Sequence, residues 1–226
     1  MVEVYAIRID DFIDDNTINQ LLSYIPKEKR EQVKRFHFIE DVKRTLYGDL
    51  MVRYLACDKL KLSNSQIIFC KNEFGKPFLK DHADFYFNIS HSGDWVVCAI
   101  GKREVGIDIE QIKPVDISIA KRFFTEIEYK DLMRIPERFR VERFYNFWTM
   151  KESYIKYKGE GLSIPLNSFH VPLESGGLDN LPYLYFSQPL LDTGYKLSIY
   201  SEDGPVSEKI IIMDINLIKE KLIHGN

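Results

Sequence analysis

Residues 105–110 read Val105-Gly106-Ile107-Asp108-Ile109-Glu110, an apolar run with two carboxylates set into it at alternate positions. In an extended chain successive side chains point to opposite faces, so Asp108 and Glu110 share one face and Ile107 and Ile109 the other. The two carboxylate-bearing Cα atoms would then lie about 6–7 Å apart, within reach of one hard cation. A half-buried strand with a solvated acidic edge has the same pattern. Just before it, Trp95 to Ile100 is a second apolar strand. The intervening Gly101-Lys102-Arg103-Glu104 predicts a hairpin that returns the chain into the D-x-E strand.

Upstream, residues 2–9 alternate as an opening strand, and the Asp- and Asn-rich stretch after them offers helix caps before Leu21 and Leu22. Pro26 suits the first turn of a basic helix carrying Lys27, Lys29, Arg30, Lys34 and Arg35, interleaved with Glu28 and Glu31 as on many solvated faces. A longer helix is predicted from about Glu40 to Lys59, with Val42, Leu46, Leu50 and Tyr54 as its apolar stripe and Gly48 open to close packing. Arg44 and Thr45 lie near its start, where the dipole favours an anion. Strands are predicted over Gln66–Cys70 and Phe85–Ile89. Between them Gly75 and Pro77 punctuate a turn around Lys76. Asn88-Ile89-Ser90-His91-Ser92-Gly93 reads as a strand ending in a polar loop, a common setting for ligand contact.

Downstream, residues 116–134 are predicted helical, followed by a helix from about Arg138 to Lys158. At 100° per residue Phe144, Phe147, Trp148, Met150, Tyr154 and Ile155 form a broad apolar arc with Lys151 inside it, which calls for a neighbouring anion. Glu152 and Lys156 flank the arc one turn apart on the same side. Gly159 and Gly161 break the helix, and strands are predicted over Phe169–Leu173, Tyr183–Phe186, Tyr195–Tyr200 and Ile210–Ile215. The chain closes on a short amphipathic stretch.

With 226 residues, 45% of them hydrophobic and 29% charged, the chain has the composition of a globular protein of one large or two small domains. A formal net charge of −3 gives no general attraction to nucleic acid or anionic membrane. No apolar run reaches membrane-span length, and the N-terminus alternates like a strand rather than a signal peptide. Cys57, Cys70 and Cys98 have neither C-x-x-C spacing nor an even count, so reduced thiols in a cytoplasmic protein are expected.

Together VGIDIE and, further on, Phe147-Trp148-Thr149-Met150-Lys151-Glu152-Ser153-Tyr154-Ile155-Lys156 resemble the 4′-phosphopantetheinyl transferase superfamily. The stretches EFGKP (73–77) and NISHSG (88–93), with the chain length, resemble its surfactin-type branch. The resemblance runs to about Phe169 and is weaker beyond. It implies an α+β fold of two similar halves related by a pseudo-twofold, each with antiparallel strands packed with helices and the active site between them. Residues 1–105 would form the half that contacts the 3′-phosphate and adenine of coenzyme A. Residues 106–226 would supply the metal ligands, the catalytic helix and the carrier-docking surface.

The reaction implied moves the phosphopantetheine arm of coenzyme A onto a serine hydroxyl of an apo carrier protein from a peptide, polyketide or fatty acid synthase, releasing adenosine 3′,5′-bisphosphate. Such a transfer needs charge neutralisation and in-line positioning. Asp108, Glu110 and Glu152 would hold Mg²⁺, with Mn²⁺ as a substitute. Lys156, with Lys151 beside it, would neutralise developing charge, Lys156 giving a proton to the leaving group. Glu152, directly or through a metal-bound water, would deprotonate the serine. By resemblance Lys29, Arg44 and His91 hold the 3′-phosphate end of coenzyme A, and Thr45, Lys76, Pro77, Ser90 and Ser92 fall in ligand-contact stretches. Gln32 stands where a second lysine is expected, which predicts weaker, less salt-sensitive binding there.

The carrier would dock on Lys113 to Phe124 through Val115, Ile117 and Ile119, aided by Lys113, Lys121 and Arg122; the alternative is that this segment packs into the core. A monomer is expected, since the trimeric branch of the superfamily has chains of about half this length. Competing readings are a magnesium-dependent phosphohydrolase or nuclease, for which the charge balance gives little support, and a non-catalytic coenzyme A or carrier-binding module.

Overall fold

The computed structural model describes residues 1–9, 13–173, 181, 185–202 and 206–224. The chain opens with β1 (Val2–Arg8), then α1 (Asp15–Leu22), α2 (Lys27–Val33) and α3 (Ile39–Leu60). Asp14 caps α1, its carboxylate accepting the Thr17 N–H at 2.7 Å, and Pro26 is the residue that enters α2. On α3 Leu46 and Leu50 are fully buried, with Val42 and Tyr54 half-buried beside them. Gly48 faces the sheet: a Cβ there would sit 3.3 Å from Ile89 Cγ2.

A short hairpin, β2 (Phe69–Lys71) and β3 (Pro77–Leu79), precedes β4 (Tyr86–Ser92) and β5 (Trp95–Gly101). The expected polar loop is instead strand. Ser90, His91 and Ser92 pair with Val97, Val96 and Trp95, and the turn is Gly93-Asp94. Next comes β6 (Gly106–Gln111), with Asp108 and Glu110 opposite Ile107 and Ile109 as alternation requires. The predicted β5–β6 hairpin is absent. β5 pairs with β1 and β4, whereas residues 102–105 carry the chain to a second sheet, where β6 pairs antiparallel with a late strand.

Residues 116–134 do not form one helix. A 3₁₀ turn and α4 (Ala120–Phe123) end before Thr125, where α5 (Glu126–Arg134) starts afresh. The cause is a capping box: Thr125 and Glu128 exchange side chain-to-backbone hydrogen bonds. The long α6 (Glu137–Lys158) follows, ended by Gly159 in the left-handed region at φ 72°. Phe169–Leu173 is not a strand. Two of its backbone groups are met by side chains, Val171 N–H donating to Glu128 at 2.9 Å and Phe169 C=O accepting from Lys151 at 2.6 Å.

Strands β7 (Phe186–Ser187) and β8 (Tyr195–Tyr200) complete the second sheet in the order β6-β8-β7. Most of the strand predicted over Tyr183–Phe186 lies outside the described residues. Finally β9 (Val206–Ile212) and α7 (Ile215–His224) return to the first half, so the strand predicted to reach Ile215 stops at Ile212. β9 runs parallel to β1 at the edge of the first sheet, order β4-β5-β1-β9, and Ile218 and Leu222 of α7 join the core around α3. A clean cut at residue 105 therefore misplaces the last two elements.

Both halves are α+β, and each is built on a 22-residue helix ended by a left-handed residue, α3 by Lys61 and α6 by Gly159. The two sheets share a core: Val4, Ala6, Val97 and Ala99 meet Ile107, Ile109, Leu197 and Ile199. Burying Ile107 and Ile109 there turns Asp108 and Glu110 towards α6. Gly106 makes that approach possible, since a Cβ would lie 1.9 Å from Ser153 C=O of α6.

Candidate active site

Strand β6 has one edge facing β4, and no backbone ladder joins them. Three β4 side chains accept the β6 N–H groups instead: Asn88 from Ile107 at 3.0 Å, Ser90 from Ile109 at 3.3 Å and Ser92 from Gln111 at 3.0 Å. The period of two on both strands makes the three contacts a set. The two hydroxyls then donate onward to the carboxylates, Ser90 to Asp108 Oδ1 and Ser92 to Glu110 Oε2, each at 2.9 Å. Ser90 also accepts from Lys156 Nζ at 2.8 Å. Its hydroxyl is thereby fully engaged with protein, so Ser90 positions the acidic pair where a ligand contact was expected.

From α6, Trp148, Glu152 and Lys156 close a pocket of about 300 Å³ with Ile89, Ser90, His91, Asp108 and Glu110. Lys156 Nζ lies 2.6 Å from Asp108 Oδ1. Burial raises the pKa of Asp108, against the opposing pull of Lys156. Burial, then the charge of Asp108, raises Glu110. Glu152 is pushed up to about 7 by burial and by Asp108, with Glu110 adding to it. All three carboxylates are held up chiefly by burial, which a cation bound among them would oppose.

Asp108 Oδ2 is buried with no hydrogen-bond partner. That orphan oxygen and an all-carboxylate donor set fit a hard divalent cation. Among the described residues no three His, Cys, Asp or Glu side chains already converge at metal-ligand spacing, and Lys156 Nζ stands beside Asp108.

His91 and Ile89 also line a second, larger cavity of about 970 Å³, bounded by α2, α3 and the β2–β3 hairpin. Lys29, Gln32, Arg44, Thr45 and Pro77, named by resemblance above, all line it. Arg44 is tethered there, donating from Nε to Gly93 C=O at 3.0 Å and pairing with Asp41 at 2.7 Å. Burial lowers the pKa of His91, helped by the nearby Lys156 and Arg44 charges. Gly93 must turn at φ 53°, and a Cβ would fall 2.3 Å from Tyr195 Oη.

Two predicted contacts lie elsewhere. Lys151 is fully buried in the second half, 2.9 Å from Glu128 and donating to Leu166 and Phe169 carbonyls. The anion its position called for exists, but it is Glu128 and not a ligand. Lys76 turns from the cavity to pair with Glu104 and donate to Tyr157 C=O at 3.0 Å. The residues not anticipated are Asn88, whose role shows only once β4 and β6 are juxtaposed, and Glu128. The Thr125-x-x-Glu128 cap was legible in the sequence. In the expected docking segment Lys113, Lys121 and Arg122 are exposed, while Val115, Ile117 and Ile119 lie half-buried against the second core. Cys57, Cys70 and Cys98 are unpaired. Among the described residues no helix is long and apolar enough to cross a membrane.

A family model described as 4′-phosphopantetheinyl transferase, N-terminal, matches residues 14–103, and one described as 4′-phosphopantetheinyl transferase superfamily matches residues 104–204. The chain belongs to the 4′-phosphopantetheinyl transferase superfamily. The transferase is 39% identical over 218 residues to 4′-phosphopantetheinyl transferase Sfp of Bacillus subtilis strain 168, covering 94% of this chain and 97% of that one. It is 37% identical over 221 residues to 4′-phosphopantetheinyl transferase psf-1 of Bacillus pumilus, covering 94% and 95%. With 4′-phosphopantetheinyl transferase gsp of Aneurinibacillus migulanus it shares 44% identity over 171 residues, 76% of this chain and 71% of the relative. These similarities place the transferase in the Sfp-like branch, and it is an enzyme of 4′-phosphopantetheinyl transfer.

Proposed function

We propose that this transferase moves the 4′-phosphopantetheine arm of coenzyme A to a serine hydroxyl of an apo carrier protein of a peptide, polyketide or fatty acid synthase. The observation that carries the reading is the junction at His91 and Ile89, where a cation-lined cavity of about 970 Å³ meets the three-carboxylate pocket. A nucleotide held by Lys29, Arg44 and His91 would present its pyrophosphate to Asp108, Glu110 and Glu152 across that junction. Asp108, Glu110 and Glu152 would hold Mg²⁺ or Mn²⁺, which when bound supplies charge neutralisation at the pyrophosphate.

The chain's own groups do the rest. The serine oxygen forms a bond to the pantetheine-side phosphorus as the bond from that phosphorus to the bridging oxygen breaks, and adenosine 3′,5′-bisphosphate leaves. Glu152, which lines the acidic pocket with Asp108 and Glu110, would take the serine proton, directly or through a metal-bound water. Lys156, beside Asp108 and Ser90, is suited to neutralise and protonate the leaving oxygen. The exposed Lys113, Lys121 and Arg122 beside the half-buried Val115, Ile117 and Ile119 would receive an acidic carrier. Trp148 lines the acidic pocket and packs edge-on against Phe123 of that segment, 5.5 Å between ring centroids, which links docking to the site. A monomer in the cytoplasm completes the reading.

The test is intact mass spectrometry of an apo peptidyl carrier domain incubated with the transferase, coenzyme A and Mg²⁺. A gain of one phosphopantetheine, lost with EDTA and in Asp108→Ala, is expected. Coenzyme A binding with no gain on peptidyl or fatty-acid carriers would replace catalysis by a binding role.

A further inference from the structure

The β2–β3 hairpin has two working sides. Phe69, Cys70, Lys71, Gly75 and Pro77 line the 970 Å³ cavity. From the same hairpin Asn72 and Lys76 reach the C-terminal end of α6 in the other half. The last carbonyls of a helix have no donor within it, and a cation there is favoured by the dipole. Here Tyr157 C=O accepts from Lys76 Nζ at 3.0 Å, and Gly159 C=O accepts from Asn72 Nδ2 at 2.8 Å.

The Asn72 carboxamide oxygen meanwhile accepts the Phe74 and Lys76 N–H groups at 3.0 and 2.8 Å, so one side chain both shapes the turn and grips the helix. The fit is close: a Cβ at Gly159 would lie 2.8 Å from Lys76 Cδ and 3.4 Å from Asn72 Nδ2. An ammonium has three donors. Those of Lys76 are met by Glu104, Tyr157 C=O and, at 3.5 Å, Val105 C=O, which leaves none for a phosphate.

We propose that Lys76 and Asn72 are positioning residues, a latch that caps the catalytic helix from the wall of the ligand cavity and so sets Lys156 and Glu152 against the β6 carboxylates. Lys156 immediately precedes the capped Tyr157, and Glu152 lies one turn further back on the same side. The hairpin thus holds the end of the helix. The proposal rests on the phosphopantetheinyl-transfer reading for its kinetic consequence only.

The test uses the full chain with Lys76→Met, Lys76→Arg and Asn72→Ala, following kcat and KM, coenzyme A binding by calorimetry, and hydrogen exchange of residues 152–159. A misplaced catalytic group costs rate and not ligand affinity. In Lys76→Met and Asn72→Ala we expect kcat to fall about tenfold, the coenzyme A Kd to change less than about twofold, and exchange at the end of α6 to quicken. Lys76→Arg should recover most of the rate. A coenzyme A Kd raised about tenfold at unchanged kcat would make Lys76 a ligand contact and overturn the latch, as would unchanged exchange in Asn72→Ala. Lost stability at normal kcat would reduce the latch to a packing contact. If wild type shows no transfer at all, the functional reading fails while exchange and calorimetry still judge the latch. Asn72→Ala, which removes no charge, carries the test if Lys76→Met does not fold.

Discussion

Ser92 Oγ donates to Glu110 Oε2 at 2.9 Å while accepting the Gln111 N–H at 3.0 Å, so one hydroxyl fixes both a carboxylate and the strand that bears it. Partners that orient a metal-binding carboxylate are worth about 10–100-fold in cation affinity. Ser92→Ala is therefore expected to weaken Mn²⁺ binding at least about tenfold in a direct titration, with coenzyme A affinity nearly unchanged. Ser92→Thr, which keeps the hydroxyl, should restore it. Equal Mn²⁺ affinity in wild type and Ser92→Ala would show that Glu110 needs no such support.

The raised pKa of Glu152 fixes a sign for metal-free stability. Between its ordinary value of 4.5 and about 7 the folded chain keeps a proton that the unfolded chain has released. The contribution is whole below the lower value and is lost as pH rises through about 7. Melting temperature without metal should thus fall from pH 5 to pH 8, and Glu152→Gln should flatten that slope. Mg²⁺ should raise the melting temperature more at pH 8 than at pH 5, where the carboxylates hold protons. A metal-free melting curve indifferent to Glu152→Gln would discount the shift.

Lys151 and Glu128 are both 0% exposed and form an ion pair at 2.9 Å. Burial lowers the Lys151 pKa against the support of Glu128, so each charge depends on the other. Removing one partner should cost about 3–5 kcal/mol in urea denaturation. Lys151→Met with Glu128→Gln should recover part of that loss, because no buried charge is left unpaired and the amide oxygen can still accept a backbone N–H. Were the single substitution to raise the KM for coenzyme A with stability intact, Lys151 would be a ligand contact after all.

Gln32 lines the large cavity near Lys29 and Arg44. Gln32→Lys adds a cation there and should tighten coenzyme A binding by about three- to tenfold at low salt, the gain shrinking as salt rises. Calorimetry at two salt levels measures it; identical affinities at both would place the 3′-phosphate elsewhere.

Much of the site was readable in the chain. Alternation in VGIDIE put two carboxylates on one strand face, helical spacing put Glu152 and Lys156 on one helix side, and a cap, a proline or a glycine marked the helix ends. The reading failed where a local pattern has more than one partner available. Gly101 to Glu104 looks like a hairpin turn, yet nothing in those residues says that β6 will pair with β8 in another sheet. Lys151 asked for an anion, and whether a ligand or Glu128 would supply it depended on how α5 lies against α6. Lys76 fell in a ligand-contact stretch by resemblance, yet its ammonium donates to Tyr157 C=O at the end of α6, 3.0 Å away.

By itself, then, the sequence determined the periodicities, the caps, the charged residues of the site and the family, because each is carried by neighbours along the chain. Tertiary structure alone decided that β9 and α7 return to the first half, that Asn88, Ser90 and Ser92 stand in for a missing ladder on β6, and that a hairpin caps a helix from the opposite half. These contacts join residues far apart in sequence. Their geometry follows from burying two sheets against one another while the Ile107, Ile109 and Gln111 N–H groups of β6 find acceptors on β4 side chains.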